Sequence, residues 1–306
     1  SNVKLFLEVL MTIPIYRRTF GSLHESASNG NLPEDQAILK LYLRKEHSIN
    51  YPDAAPMMLG RMVQTGLDHH LGLHDYSQEQ GQQEGLEINQ AIREALTEYQ
   101  VYTPRTWDNG KDQSAYDSFQ DFLPDMVKCA AEGLKQYFQN VNAIEGEFAQ
   151  RYNEPLIDVP ILFYQDYSGG GKQIDLKCQV PRKNPTKKDG TFTYSAPKPK
   201  TEPSPAWIRQ QAVYWKATGQ KPALLCVSAK DYHIIDETNC EQLQDDYLQV
   251  AYDDMVRSWL VLQNKLKDSQ GSWKHIVERT KLDGAEILNR YGPNIYKLSQ
   301  QLWSIK

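Results

Sequence analysis

The sequence has few cysteines, no long apolar run and no excess of basic charge, and each lack excludes a class of protein. Four cysteines are spread over 306 residues without a CxxC pair, which argues against a disulfide framework, a zinc site or an iron–sulfur cluster. No apolar run approaches the roughly 18 residues that a membrane-spanning helix needs. The chain also lacks a GxxxxGK[ST] phosphate-binding loop. We therefore predict free thiols in a reducing compartment, a cytoplasmic location and no membrane contact, and a chain that works without ATP or with a separate motor.

The net charge of −5 gives no sign that the chain as a whole binds nucleic acid. Such binding needs only a local basic strip, and the region 180–206 supplies one. Pro, Lys, Ser and Thr dominate there, so we predict a flexible loop that contributes little to a core. Two interpretations stay open, a solvated linker and a segment that becomes ordered on DNA. The basic residues of this region are Arg182, Lys183, Lys187, Lys188, Lys198 and Lys200.

The apolar pattern divides the chain into helical and strand-forming parts. Apolar residues at three- and four-residue spacing predict helices over much of 33–140, the first of them starting at Pro33. The glycine turn SGGGK at 168–172 predicts a hairpin. A helix ending at Gly219 follows, and the pattern is helical again after Glu241, with breaks near Gly271 and Pro293. The predicted strands are 143–152, 155–167, 172–180, 222–229 and 232–236.

Two segments combine acidic or basic side chains with strongly apolar neighbours. In KQIDLKCQ the alternation of a strand places Asp175 and Lys177 on one face and the apolar Ile174, Leu176 and Cys178 on the other. Asp158 interrupts the apolar run PLIDVPILF, where a carboxylate is costly unless it is paired or binds a metal. Two carboxylates and a lysine suit phosphodiester hydrolysis. The carboxylates can hold Mg²⁺, and the lysine can steady charge that develops on phosphorus.

These residues carry a resemblance to a known family. Asp158 followed by Asp175-Leu176-Lys177 resembles the D…DxK layout of the PD-(D/E)XK nuclease superfamily. Downstream, Gln210 and Tyr214 match the QxxxY signature of its RecB-like and RecE-like exonuclease branch, which also includes mitochondrial exonuclease relatives. The resemblance covers about residues 51–235. It implies a restriction-endonuclease-like core, in which helices flank a mixed central sheet, here with a helical N-terminal portion and a helical C-terminal tail.

Two positions of the family pattern leave alternatives open. The helix around Gly60 resembles the one that carries a G-x-x-x-H motif, with Gln64 at the histidine position. A second register restores the histidine as His70. Glu147 occupies the place of the acidic residue that precedes the first aspartate, although Glu145 lies two residues earlier on the same strand face.

The resemblance assigns roles to individual residues. The implied catalytic residues are Asp158, Asp175, Lys177, Glu147 and Gln210. The implied ligands of Mg²⁺, for which Mn²⁺ can substitute, are Asp158, Asp175, Glu147 and the backbone carbonyl of Leu176. The implied DNA contacts are Gln64, Tyr214, Lys183, Lys187 and Lys188. No iron–sulfur cluster is expected, because the cysteines do not occupy the positions used by the members that carry one.

We therefore expect three segments and one enzymatic function. The segments are an N-terminal helical extension (1–50), a nuclease core (51–240) and a C-terminal helical segment (241–306). The expected activity is metal-dependent hydrolysis of DNA, by an exonuclease of recombination, repair or replication. A partner protein of those processes and an oligomer are both compatible with the resemblance. Two alternatives are a catalytically inactive nucleic-acid-binding protein with the same fold and an unrelated metal hydrolase.

Overall fold

The structure, a computed structural model, describes residues 13–51, 54–73, 84–101, 115–140 and 143–305. It divides into two compact units, and each is built from segments that are distant in sequence. Unit 1 comprises Ser1–Pro52, Ala149–Phe163 and Leu248–Lys306, and unit 2 comprises Asp53–Phe148 and Tyr164–Tyr247. The N-terminal and C-terminal segments, which we expected to be separate, thus belong to one unit. Residues 74–83 and 102–114 of the predicted helical region lie outside the described residues.

The helices and strands follow the order that the sequence pattern indicates, with helices first, then strands interrupted by one helix, and then helices again. The helices are α1 (Ile15–Thr19), α2 (Ala27–Gly30), α3 (Glu34–His47), α4 (Ala55–Leu71), α5 (Ile88–Val101), α6 (Phe119–Phe138), α7 (Pro205–Thr218), α8 (Asp245–Asp268), α9 (Trp273–Val277), α10 (Gly284–Tyr291) and α11 (Pro293–Trp303). The strands are β1 (Phe148–Tyr152), β2 (Ile161–Gln165), β3 (Tyr167–Gly169), β4 (Lys172–Cys178), β5 (Arg182–Lys183), β6 (Tyr194–Ser195), β7 (Lys221–Val227) and β8 (Tyr232–Ile235).

Unit 1 is mainly helical, and its core joins the two ends of the chain. Helix α3 begins directly after Pro33, as predicted, since proline tolerates the first turn of a helix where backbone N–H groups have no partner. Its fully buried Leu39 and Leu43 belong to one apolar cluster with Leu266 of α8 and Ile287 of α10. Removing this apolar surface from water is what stabilises the unit.

Unit 2 contains a four-stranded mixed sheet with the strand order β3-β4-β7-β8. The β3–β4 and β7–β8 pairs are antiparallel, whereas β4 and β7 run parallel and are connected through α7. The predicted glycine turn joins β3 to β4, with Gly170 and Gly171 at φ 58° and 76°. Only glycine adopts such values without strain. The predicted α/β class with a mixed sheet is confirmed.

The two faces of this sheet have different chemistry. Ile174 and Leu176 of β4, with Ala223 and Leu225 of β7, belong to a buried apolar cluster shared with α4, α5 and α6. The opposite face of β4 carries the polar residues of the DxK motif, as strand alternation predicts. Helix α7 packs against β7. The apolar face therefore fixes the sheet on the helices, and the other face is available for polar side chains.

Two predicted segments differ from the structure. The run 155–167 forms strand only at β2 and β3, because Pro160 cannot donate to a sheet ladder and the residues before it form a turn. The region 180–206, predicted as a loop, contains the short antiparallel pair of β5 with β6. Asn184 holds this pair together, since its backbone N–H donates to the Thr193 carbonyl at 2.8 Å and its side-chain oxygen accepts from the Ser195 hydroxyl at 3.0 Å.

All four cysteines carry free thiols. None of the helices in the described ranges combines the length and the apolar character that crossing a membrane would require.

Two glycines of α4, one with open space beside it and one in close contact, test the packing of unit 2. A Cβ at Gly66 would lie 2.9 Å from Cγ2 of Val127 and 3.2 Å from the Ala95 Cβ, whereas one at Gly60 would meet no atom within 4 Å. Gly60→Ala should raise the free energy of unfolding by about 0.5–1 kcal/mol through helix propensity. Gly66→Ala should lower it by about 1–3 kcal/mol through overpacking. Urea unfolding measures both, and equal effects of the two substitutions would contradict this packing.

Candidate active site

The hairpin of β3 and β4 brings two aspartates together. Its register pairs Tyr167 with Ile174, so that Asp166, the residue before β3, falls opposite Asp175. The Asp166 Oδ2 accepts a hydrogen bond from the backbone N–H of Leu176 at 2.7 Å. The side chain of Asp175 is only 4% exposed. Two carboxylates therefore lie side by side, one directly before the start of β3 and the other within β4.

Lys177 supplies the positive charge at this position. Its ammonium forms an ion pair with Asp175. The same ammonium donates a hydrogen bond to the Gln210 Oε1 at 2.9 Å. The Gln210 amide in turn donates to the Tyr214 hydroxyl oxygen at 2.7 Å. A continuous chain of polar contacts thus connects the DxK strand to the QxxxY helix.

The ends of α7 fix the orientation of that helix. The Ser204 hydroxyl caps its start by accepting from the backbone N–H of Trp207 at 3.3 Å, and Pro205 occupies the first turn. The helix stops at Gly219, as predicted, and this glycine adopts φ 69°. Trp207 lies one turn before the QxxxY glutamine, and the Lys177 Nζ is 5.7 Å from the centre of its ring. This distance is within the range of a cation–π contact.

Burial and like charge determine the protonation of this cluster. Burial, and then the neighbouring Asp175, raises the pKa of Asp166 well above its ordinary value. Burial alone would lower the pKa of Lys177, but the carboxylates of Asp175 and Asp166 outweigh it and raise the pKa overall. Burial and the same two carboxylates also raise the pKa of Tyr214. Lysine and tyrosine are therefore held protonated, which makes Lys177 a permanent cation at the site.

Glu147 joins the cluster through the helix that carries Gln64. The Gln64 Nε2 donates to the Glu147 Oε2 at 3.1 Å, and the charge of Glu147 contributes to the raised pKa of Asp166. Glu145 and His70, the alternatives to Glu147 and Gln64, make other contacts. Glu145 is exposed and makes only a backbone bridge to the hairpin. The His70 Nδ1 faces the Leu86 carbonyl at 2.8 Å.

Asp158, expected to be the first catalytic carboxylate and a metal ligand, belongs to unit 1, whereas Asp166, Asp175 and Lys177 belong to unit 2. It lies in the 149–163 segment of unit 1, where its Oδ1 accepts from the Arg17 Nε at 2.8 Å and its backbone N–H donates to the Gln263 Oε1 at 3.0 Å. Arg17 is fully buried and also pairs with Glu25 at 2.7 Å. Asp158 thus serves to compensate a buried guanidinium, which is a sufficient reason for a carboxylate in an apolar run.

The sequence contained a signal for the aspartate that faces Asp175. In a hairpin with a two-residue turn, residues at equal distances from the turn face each other. Counting outward from Gly170 and Gly171 therefore pairs Asp166 with Asp175, in agreement with the observed register. Asp158 interrupts an apolar run, which indicates a special role for a carboxylate, whereas Asp166 stands between a polar and an aromatic residue and gives no such indication.

The lysines expected to contact DNA lie on the β5–β6 hairpin. Lys183, Lys187 and Lys188 are exposed. The Lys183 Nζ lies 3.6 Å above the ring of Phe192. Further along the same segment, the Lys200 Nζ lies 4.7 Å above the ring of Trp207. Positive charge is therefore present on the segment that connects β4 to α7.

The oxygen atoms of the cluster have the chemistry of a site for a hard cation. Mg²⁺ is bound through one or two carboxylates and retains several waters, and Asp166 and Asp175 provide two carboxylates. The N–H and C=O of a strand residue point to the same edge. Because the Leu176 N–H reaches Asp166, its carbonyl faces that edge also. In the described part of the chain, no group of three or more His, Cys, Asp or Glu side chains is arranged to hold a metal.

Comparisons of the chain with protein-family models, with curated proteins and with solved structures found no match.

The charge balance of the cluster predicts opposite effects of two substitutions on stability without metal. Lys177→Met should lower the free energy of unfolding by about 3–5 kcal/mol, because it leaves buried carboxylates without a counter-ion. Asp166→Asn should raise the free energy of unfolding, since an amide removes the repulsion from Asp175 and its oxygen can still accept from the Leu176 N–H. Urea unfolding in EDTA measures both, and a Lys177→Met protein as stable as the wild type would contradict the assignment.

Proposed function

We propose that the chain is a metal-dependent DNA nuclease of the PD-(D/E)XK superfamily. The single observation that carries the proposal is the juxtaposition of Asp166, Asp175 and Lys177, with Gln210 of the QxxxY helix bonded to the lysine. Asp166 takes the role that we first assigned to Asp158. The mixed sheet, with a hairpin followed by a helical crossover to a parallel strand, is compatible with a restriction-endonuclease-like core.

Each side chain of the cluster has a distinct task in this proposal. Asp166, Asp175, the Leu176 carbonyl and, directly or through water, Glu147 would hold Mg²⁺ or Mn²⁺. The bound metal would polarise the phosphate and make a bound water more acidic. Lys177 orients the attacking water and stabilises charge that develops on the phosphate, since preorganised cations act strongly in a site of low dielectric.

The QxxxY residues position the lysine. The Lys177 ammonium has bonds to both Asp175 and Gln210, and the buried Tyr214 hydroxyl holds the Gln210 amide in one orientation. Fixing a long side chain in advance removes the entropic cost of ordering it during the reaction. We therefore propose Gln210 and Tyr214 as positioning residues for Lys177.

One observation favours a second candidate function. In the Gly60 register Gln64 stands at the family's histidine position, and its amide donates to the Glu147 carboxylate. An amide is a poorer metal ligand than imidazole, and this bond engages one oxygen of a carboxylate that would otherwise face the metal. A nucleic-acid-binding protein that has kept the fold and lost catalysis is therefore the alternative, and digestion of DNA decides between the two.

The aspartate assignment is tested by matched substitutions. With Mg²⁺ and end-labelled DNA, Asp166→Asn and Asp175→Asn should each slow digestion by about 100-fold or more, as expected for loss of a preorganised electrostatic group. Asp158→Asn is the control and should digest at nearly the wild-type rate. A protein that loses activity through Asp158→Asn, and not through Asp166→Asn, would refute the assignment. A wild type that digests no DNA with Mg²⁺ or Mn²⁺ would favour the alternative function.

End dependence is tested with matched linear and circular DNA of one sequence. An exonuclease should digest linear single strands or duplexes and leave the closed circles intact, because a circle offers no end. Products are followed on denaturing gels from 5′- and 3′-labelled strands, which also gives the direction. Digestion of circles as fast as linear DNA would show an endonuclease instead.

A further inference from the structure

The segment 180–206 begins and ends at the proposed nuclease site. It leaves β4 three residues after Lys177 and returns at the start of α7, which carries Gln210. Six basic residues and only two acidic ones lie within it. The connectivity therefore keeps a positively charged segment next to the cluster, whatever conformation its middle adopts.

The middle of this segment is a defined hairpin that presents an aromatic ring. Beyond the β5–β6 pair, the backbone N–H of Lys187 donates to the Thr191 carbonyl at 2.7 Å, and Gly190 turns the chain at φ 83°. Phe192 follows the turn and is 43% exposed. Its ring meets Tyr194 edge-on, with 5.8 Å between centroids. A large apolar ring is thus held in a fixed, accessible position.

Two aromatic rings of this region each have a lysine ammonium over them. Lys183 lies over Phe192 at 3.6 Å, and Lys200 lies over Trp207 at 4.7 Å. An aromatic ring beside an ammonium is the combination that binds a nucleotide of a single strand, because the base stacks and the phosphate is neutralised. Trp207 is also within 5.7 Å of the Lys177 ammonium, so the second ring is adjacent to the proposed site of cleavage.

The groove beside Phe192 favours bases over phosphates. It has a volume of about 520 Å³ and runs between the hairpin and the start of α6. Phe122 and Tyr194 contribute aromatic surface to it, and Asp117 and Asp121 contribute carboxylates. The carboxylates would repel a phosphate but can accept hydrogen bonds from the amino groups of bases. A strand lying here would therefore turn its bases into the groove and its phosphates toward the lysines.

We propose that the 180–206 segment and Trp207 form a binding track for single-stranded DNA. One base stacks on Phe192 and another on Trp207, while Lys183 and Lys200 neutralise the adjacent phosphates. The bases of a duplex already stack on one another, so an intact duplex cannot offer its base faces to these rings. The track rests on the proposed nuclease function, for which it makes a single strand the preferred substrate.

Binding in EDTA tests the track independently of cleavage. Fluorescence anisotropy with labelled single-stranded and blunt duplex DNA of the same length should show tighter binding of the single strand. Phe192→Ala should weaken that binding about 10-fold, and Phe192→Trp should restore it, because stacking tolerates any large aromatic ring. Tyr247→Ala, at another exposed aromatic of unit 2, is the control and should bind as the wild type does.

The salt dependence tests the phosphate contacts. Lys200→Gln should reduce the slope of log affinity against log salt by about 0.7, the value for one phosphate of a single strand. Lys135→Gln, at an exposed lysine of α6, should leave the slope unchanged. Circular dichroism melting of each variant verifies that it is folded.

The outcomes separate this proposal from the nuclease function. Duplex binding as tight as single-strand binding, or a Phe192→Ala protein with wild-type affinity, overturns the track. A wild type that binds in the predicted pattern but digests no DNA with Mg²⁺ or Mn²⁺ refutes the nuclease function and leaves the track standing. Digestion that depends on Asp166 but not on Phe192 supports the nuclease function and refutes the track.

Discussion

The arrangement of unit 2 depends on the compensation of two adjacent carboxylates by one lysine. Asp166 and Asp175 lie opposite each other in a hairpin, and their repulsion in a buried position would be costly without a counter-ion. Lys177 provides it through its ion pair with Asp175. Its ammonium needs further partners, and Gln210 on α7 is one. The helix that crosses from β4 to β7 is thereby tied to the strand that carries the charges, while the apolar face of β4 anchors the same strand in the core.

A second buried charge has a different consequence in unit 1. Arg17 is fully buried and contacts Glu25 from the N-terminal segment, Asp158 from the inserted segment 149–163 and Gln263 from α8. Three distant parts of the chain thus meet at one guanidinium, whose planar fork suits several acceptors at once. Buried carboxylates therefore have two kinds of surroundings in this protein, a cluster with a neighbouring aspartate and a lysine in unit 2 and a structural ion pair with an arginine in unit 1.

Local patterns in the sequence were sufficient to predict the main helices and strands and most residues of the cluster around Lys177. Strand alternation placed Asp175 and Lys177 on one face, and the glycine turn and Gly219 predicted the hairpin and the end of α7. The sequence did not reveal the partner of Asp158, because its apolar neighbours indicate burial but not the contact with Arg17, which is 141 residues away in sequence. The sequence also could not predict that the N-terminal and C-terminal segments share unit 1, since this depends on apolar contacts between α3 and the C-terminal helices. Hairpin register, by contrast, is local and could have been used.

We propose that Asp166 and Asp175, and not Asp158, form the metal-binding pair. The most direct measurement is anomalous diffraction from crystals of the wild-type protein grown with Mn²⁺. We expect one anomalous peak, located where carboxylate oxygens of both Asp166 and Asp175 could hold an ion that replaces Mg²⁺. A peak at Asp158, or a fully occupied Mn²⁺ site elsewhere with none at this pair, would contradict it.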